Sequence, residues 1–193
     1  MQISNGMMFL SSFLSRISCL DLSIQAWLTE IRTPWLEQVL LYITCLGSPQ
    51  VLVALGCLTL IYCYFHKQAV EGIVLNICLL TSWVAVDLLK LFFGRSRPEG
   101  ETFTVATGYS FPSGHATLSM AFYGFIAYLL VKKWPGEKGR FLALALYITV
   151  LLIGISRVYL NVHYASDVLA GYFLGGLSLF LFIKFLHWAK KKN

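Results

Sequence analysis

The chain has 193 residues, 58% of them hydrophobic and 12% charged, with a formal net charge of +6 and a mean hydropathy of +0.71. Soluble domains carry about a quarter charged residues, so this composition excludes a soluble globular protein and leaves little chain for a separate soluble domain. The cations cluster at the ends of apolar segments, which reads as membrane topology and not as a nucleic-acid patch.

In chain order, residues 7 to 32 are amphipathic. Phe13, Ile17, Leu20, Ile24, Trp27 and Ile31 recur at helical spacing, while Ser12, Ser15, Arg16, Ser18, Asp21, Gln25 and Arg32 fill much of the remainder. One or two helices lying in the membrane interface are expected, the alternative being a short first span that includes Met7 to Leu20. No cleavable signal peptide is expected there, because serines and Arg16 interrupt the apolar run and no small-residue cleavage site follows. Residues 1–33 therefore read as an N-terminal interfacial segment and 34–193 as the transmembrane domain that carries the chemistry.

Thr33-Pro34 is a helix-start signal for a helix ending at Gly47, and Ser48-Pro49 restarts the pattern. Five spans follow: Pro49 to Phe65, Val70 to Phe93, Ser113 to Val131, Phe141 to Val158, and about Tyr164 to Trp188. The fold class is an all-α integral membrane bundle of five transmembrane helices, or six if the N-terminal segment also crosses. Gly94 to Phe111 is a polar loop. Gly171 and Gly175 form a G-x-x-x-G face for close helix packing, and Trp27, Trp35, Trp134 and Trp188 lie near span boundaries as belt residues. Cys19, Cys45, Cys57, Cys63 and Cys78 lack metal-ligand spacing and read as free packing residues.

With alternating spans, His66-Lys67, the Lys132 to Arg140 connector and Lys190 to Lys192 fall on one side, which the positive-inside rule makes cytoplasmic. The C-terminus is then cytoplasmic, in a multi-pass protein of the cell (inner or plasma) membrane. The opposite face, outside or periplasmic, receives the Gly94 to Phe111 loop, the start of the third span and the stretch Ser156 to Asp167.

Those three places hold the polar chemistry. His163 and Asp167 are four residues apart and share a helix face, so the carboxylate can orient the ring and make its free nitrogen nucleophilic or basic. Arg157 could hold an anion before that ring. Lys90 lies among apolar residues, where it snorkels, pairs with Asp87, or joins Arg97 in gripping a phosphate; Arg95 reads as a headgroup contact or part of the entrance. Pro112-Ser113-Gly114-His115 opens a helix, whose first-turn N–H groups and dipole favour an anion. There Ser113 can cap the helix or donate to phosphate, Gly114 admits an oxyanion close to the backbone, and His115 can protonate a leaving oxygen. His66 and His187 read as interface residues. No metal site is expected, since His115 and His163 lack a compact set of further ligands.

Together, Lys90-x6-Arg97-Pro98, Pro112-Ser113-Gly114-His115 and Ser156-Arg157-x5-His163-x3-Asp167 form a three-part pattern. It resembles the signature of the type 2 phosphatidic acid phosphatase (PAP2) superfamily, and the resemblance covers roughly Pro34 to the last span. It implies a membrane lipid phosphatase with His163 as nucleophile forming a phosphohistidine, Asp167 bonded to its other nitrogen, and His115 as general acid and then base. Lys90, Arg97, Ser113, Gly114 and Arg157 would hold the phosphoryl oxygens, with no cofactor and no metal. The implied partners are a phosphorylated membrane lipid and the bilayer, with no nucleic acid and no obligatory protein partner. Undecaprenyl diphosphate, phosphatidylglycerol phosphate and phosphatidic acid all fit as substrates. Two other readings compete: a phosphotransferase passing the phosphoryl group to a lipid acceptor, and a catalytically silent membrane binding or scaffold protein, which would be expected to lose a signature residue.

Overall fold

The computed structural model describes residues 2–192, with side chains over 15–191. Among these there are seven helices and no strand: α1 (Gln2–Glu30), α2 (Pro34–Cys45), α3 (Pro49–Phe65), α4 (Ala69–Phe93), α5 (Gly114–Lys133), α6 (Glu137–Tyr159) and α7 (Ala165–Lys192). Helices α4 to α7 are each long and apolar enough to cross a membrane. α2 and α3 meet that standard only as a pair, bent by 41° at Leu46–Ser48. The sequence expectation put a span in Pro49–Phe65 alone; in the structure α2 and α3 form a bent pair, a broken span or a re-entrant loop, because both Thr33 and Ser48 cap a fresh helix that opens with proline.

The bundle closes around α5, which packs against α6 and α7 and carries Phe125, buried with Leu52, Leu75, Val150 and Ile153. In a bilayer the drive for such packing is van der Waals fit and a few polar bonds between helices, since lipid is as apolar as the side chains. Gly171 and Gly175 meet the G-x-x-x-G expectation. A Cβ on Gly171 would stand 2.7 Å from the Ser113 carbonyl oxygen, and one on Gly175 would stand 2.4 Å from that of Thr117. The backbones of α7 and α5 therefore touch directly. Asn76 of α4 ties in α3 by donating to the Gly56 carbonyl at 3.1 Å.

The two ends of the bundle differ in charge. At one, Lys190 of α7 pairs with Glu71 of α4, Lys133 donates to the Tyr62 hydroxyl, and His187 meets the Tyr128 hydroxyl. At the other, α4 ends at Gly94, whose left-handed φ of 56° suits a residue without a Cβ. The loop after it folds over the end of α6, where Asn161 Nδ2 donates to the carbonyls of Glu99 and Glu101.

The N-terminal segment is one helix, within the expectation of one or two, and a narrow stripe of it faces the bundle. Leu20, Leu22 and Trp27 are exposed, whereas Asp21, Gln25 and Leu28 are buried at i, i+4 and i+7. Ser12 and Phe13 of the amphipathic pattern lie outside the described side chains.

Candidate active site

The end of α4, the start of α5, the end of α6 and the turn into α7 converge around a cavity of about 430 Å³. Of the eight residues to which the resemblance gives a role, six line it: Lys90, Arg97, Gly114, His115, Arg157 and His163. Ser113 and Asp167 are fully buried, and they are joined main chain to main chain, Ser113 N–H donating to the Asp167 carbonyl at 3.0 Å. Residues from three sequence motifs thus share one place. The break between α2 and α3 supplies part of the wall through Thr44, Cys45, Ser48 and Pro49, and Trp83 and Val86 supply an apolar side.

His163 sits in the tight turn after α6, where its N–H and that of Val162 both reach back to the Arg157 carbonyl. Its Nε2 faces Arg97 Nη1 at 3.4 Å. Its Nδ1 is 3.6 Å from Asp167 Oδ2 and 3.3 Å from the Ser110 hydroxyl, which itself donates to Asp167 Oδ2 at 2.5 Å. Asp167 also accepts from the Tyr164 N–H at 2.9 Å. Burial lowers the His163 pKa to about 4; Asp167 opposes that shift, and Arg157 and Arg97 add to it. The ring is therefore neutral near pH 7, which leaves one nitrogen with a free lone pair.

Around that nitrogen the donors are fixed by other contacts. Arg97 gives bonds to the carbonyls of Val162, Thr107 and Gly108 at 2.7, 2.7 and 3.0 Å. Arg157 Nη1 donates to Thr44 Oγ1 at 2.8 Å, but its buried Nε has no partner. Lys90 Nζ donates to the Tyr109 carbonyl at 2.9 Å, in place of a pairing with Asp87. Ser113 precedes α5 without capping it, so its buried hydroxyl is also unpartnered. A Cβ on Gly114 would meet only Val86, at an ordinary 3.6 Å, so protein packing does not demand glycine there. Three cations line the cavity, with an unpaired hydroxyl and the N–H groups of a helix's first turn beside it, a donor set suited to an oxyanion. Among the described residues no group of three or more His, Cys, Asp or Glu side chains has the arrangement to hold a metal ion.

Arg95 has contacts its sequence reading did not foresee: Nη1 donates to Asp167 Oδ1 at 2.6 Å and Nη2 to Asp21 Oδ2 at 2.7 Å. Its guanidinium also lies 4.2 Å from the centre of the Tyr164 ring. Asp21 further accepts from the Ser166 N–H and hydroxyl at 3.0 and 2.5 Å, and Gln25 Nε2 donates to the His163 carbonyl at 3.1 Å. Motif spacing singled out none of Ser110, Asp21 and Gln25. For the last two, polar residues at i and i+4 inside an apolar helix were the available signal.

Comparison with known proteins bears on the family and the fold. The sequence profile described as the PAP2 superfamily matches residues 70–191. Phosphatidylglycerophosphatase B of Bacillus subtilis is 35% identical over 153 residues, covering 78% of this chain and 75% of its own. An undecaprenyl-diphosphatase of Sulfolobus acidocaldarius is 30% identical, covering 77% of this chain and 70% of its own. The crystal structure of a transmembrane PAP2-type phosphatidylglycerolphosphate phosphatase from Bacillus subtilis superposes with a TM-score of 0.83 at 32% identity, covering 88% of this chain and 86% of that one.

Proposed function

The chain belongs to the PAP2 superfamily, and from that premise we propose that it is an integral-membrane lipid phosphatase working through a phosphohistidine on His163. The observation that carries the reading is the convergence of six signature residues on one cavity, with a neutral histidine nitrogen facing it.

In the first step His163 Nε2 attacks phosphorus in line with the scissile P–O bond. The P–N bond forms as the P–O bond breaks, and His115 gives its proton to the departing oxygen. In the second step His115 takes a proton from water, water attacks the phosphohistidine, and the P–N bond breaks to release inorganic phosphate. Asp167 holds the His163 ring by its Nδ1 side and stabilises the positive charge the ring gains. Lys90, Arg97, Arg157, the Ser113 hydroxyl and the N–H groups that start α5 bear the charge spread over the phosphoryl oxygens. Fixed donors of this kind are the main lever in phosphoryl transfer, which needs positioning and electrostatics more than covalent help.

The substrate is a lipid phosphomonoester or diphosphate whose tail stays in the bilayer. Undecaprenyl diphosphate, phosphatidylglycerol phosphate and phosphatidic acid are the members to compare. The names of the Bacillus and Sulfolobus relatives support the first two. The catalytic domain comprises residues 34–193. Its site faces outward and the C-terminus lies in the cytoplasm, a reading supported by the lysines gathered at the end of the bundle away from the cavity.

The test is phosphate release from the three lipids in detergent, with no added acceptor, for the wild type, His163→Ala and His115→Asn. Release by the wild type of at least one lipid, falling by at least about a thousandfold in His163→Ala and about a hundredfold or more in His115→Asn, is expected. Wild-type-like turnover in His163→Ala would sink the mechanism, and release that depends on an added lipid acceptor would favour the phosphotransferase.

A further inference from the structure

The family profile begins at residue 70, yet two side chains of α1, far upstream, reach the back of the nucleophile. Asp21 is 2% exposed on a helix whose neighbours Leu20 and Leu22 are more than half exposed. A carboxylate buried at that depth is expensive unless its oxygens are occupied, and here both are. Oδ1 accepts from the Ser166 N–H, in the first turn of α7, so Asp21 caps that helix from outside it. Oδ2 accepts from the Ser166 hydroxyl and from Arg95. Arg95 in turn holds Asp167 Oδ1, the carboxylate oxygen on the side away from the His163 contact. One turn along α1, Gln25 donates to the carbonyl of His163 itself.

We propose that Asp21 and Gln25 are positioning residues for the phosphoryl-transfer reaction, fixing the Asp167 carboxylate through Arg95 and the His163 main chain directly. The proposal rests on the reading of His163 as the nucleophile. It assigns α1 a role that its amphipathic pattern alone does not suggest: a strut whose two buried polar side chains are clamped against the catalytic pair. Arg95 placed between two carboxylates is shared, so its grip on Asp167 depends on where Asp21 holds it. Without Asp21, the guanidinium would be free to close on Asp167 alone and draw the carboxylate off the His163 ring.

The experiment uses the full chain in detergent and whichever of the three lipids the wild type hydrolyses fastest. Steady-state kinetics are measured for Asp21→Asn, Gln25→Ala, Arg95→Gln and the double variant Asp21→Asn/Arg95→Gln, with thermal unfolding alongside. In Asp21→Asn, kcat is expected to fall about tenfold with KM within about twofold, the loss being that of a bond to a charged group. The double variant should be no slower than Arg95→Gln alone, because both act through one contact. Gln25→Ala, which removes a neutral group, should lower kcat by about threefold and decides the matter if Asp21→Asn does not fold. Values of kcat within twofold of the wild type in both single α1 variants would overturn the proposal, as would a loss confined to KM or to thermal stability. His163→Ala serves as the control: turnover in that variant would discard the nucleophile reading, and the positioning role with it.

Discussion

His163 Nδ1 lies 3.6 Å from Asp167 Oδ2, outside hydrogen-bond range, and the Ser110 hydroxyl spans the gap. With Ser110 donating to the carboxylate, its oxygen lone pair is free to accept from an Nδ1–H. Ser110 then fixes the tautomer that leaves Nε2 unprotonated. Ser110→Ala should lower kcat by roughly two- to tenfold, in the range of one neutral hydrogen bond. Asp167→Asn should cost more, because it also removes the charge that steadies the imidazolium. Phosphate-release kinetics on both variants would check this, and equal losses would show Ser110 to be as necessary as the carboxylate.

Burial holds the His163 pKa near 4, against an ordinary value of about 6.5. Between those values the unfolded chain binds a proton that the folded protein excludes. The contribution of this residue to stability is therefore fully present above about pH 6.5 and is lost as pH falls toward 4. The thermal midpoint of the wild type should drop over that window more steeply than that of His163→Phe. In ¹⁵N-histidine spectra, the signal missing from His163→Phe should remain that of a neutral ring at pH 5.5; an imidazolium signal there would overturn the assignment.

Arg157 Nε, from a residue that lines the cavity, and Ser113 Oγ, buried next to the lining residue Gly114, have no protein partner, and an oxyanion would be a complement for both. Orthovanadate should inhibit competitively with the lipid. Ser113→Ala should weaken that inhibition by about tenfold, on the scale of one hydrogen bond to a charged group. Phosphate release should survive chelators, since the cradle itself supplies the cations. A strict requirement for Mg²⁺ would count against the mechanism.

Lys133, Lys190 and His187 meet their partners at the end of the bundle remote from His163. A protease-cleavable tag after Asn193, a residue outside the described part of the chain, should be protected in sealed right-side-out vesicles. Cleavage of the intact vesicles would invert the topology.

The signature residues were legible because each sits at a helix end marked by local chemistry: an arginine–proline turn, a Pro-Ser-Gly helix start, a histidine and aspartate at i, i+4. Residues that act across the fold were not. Ser110 lies in a loop whose path is set by its N–H bond to the Arg95 carbonyl, and nothing in the spacing discloses that contact. Arg95 looked like one more cation among Lys90 and Arg97; its role depends on Asp21, 74 positions earlier. For α1 the pattern gave Asp21 and Gln25 as polar positions, but not that these two turn inward with Leu28 while Arg16, Ser18 and Ser23 stay exposed. Their burial depends on partners in α7 and the turn before it, which helical spacing does not disclose.

Gly171 bears directly on the spacing between the two catalytic helices. Because Gly171 of α7 faces the Ser113 carbonyl, the Ala116 methyl and the Thr117 hydroxyl, nothing long or flexible lies at this crossing between the helix that carries Asp167 and the one that carries His115. The separation of Asp167 and His115 is in effect a machined gauge, not a sprung one. It cannot be trimmed in fractions of an ångström by trading one packing residue for another. The smallest available change, one methyl on Gly171, would force the two jaws of the site apart in a single step.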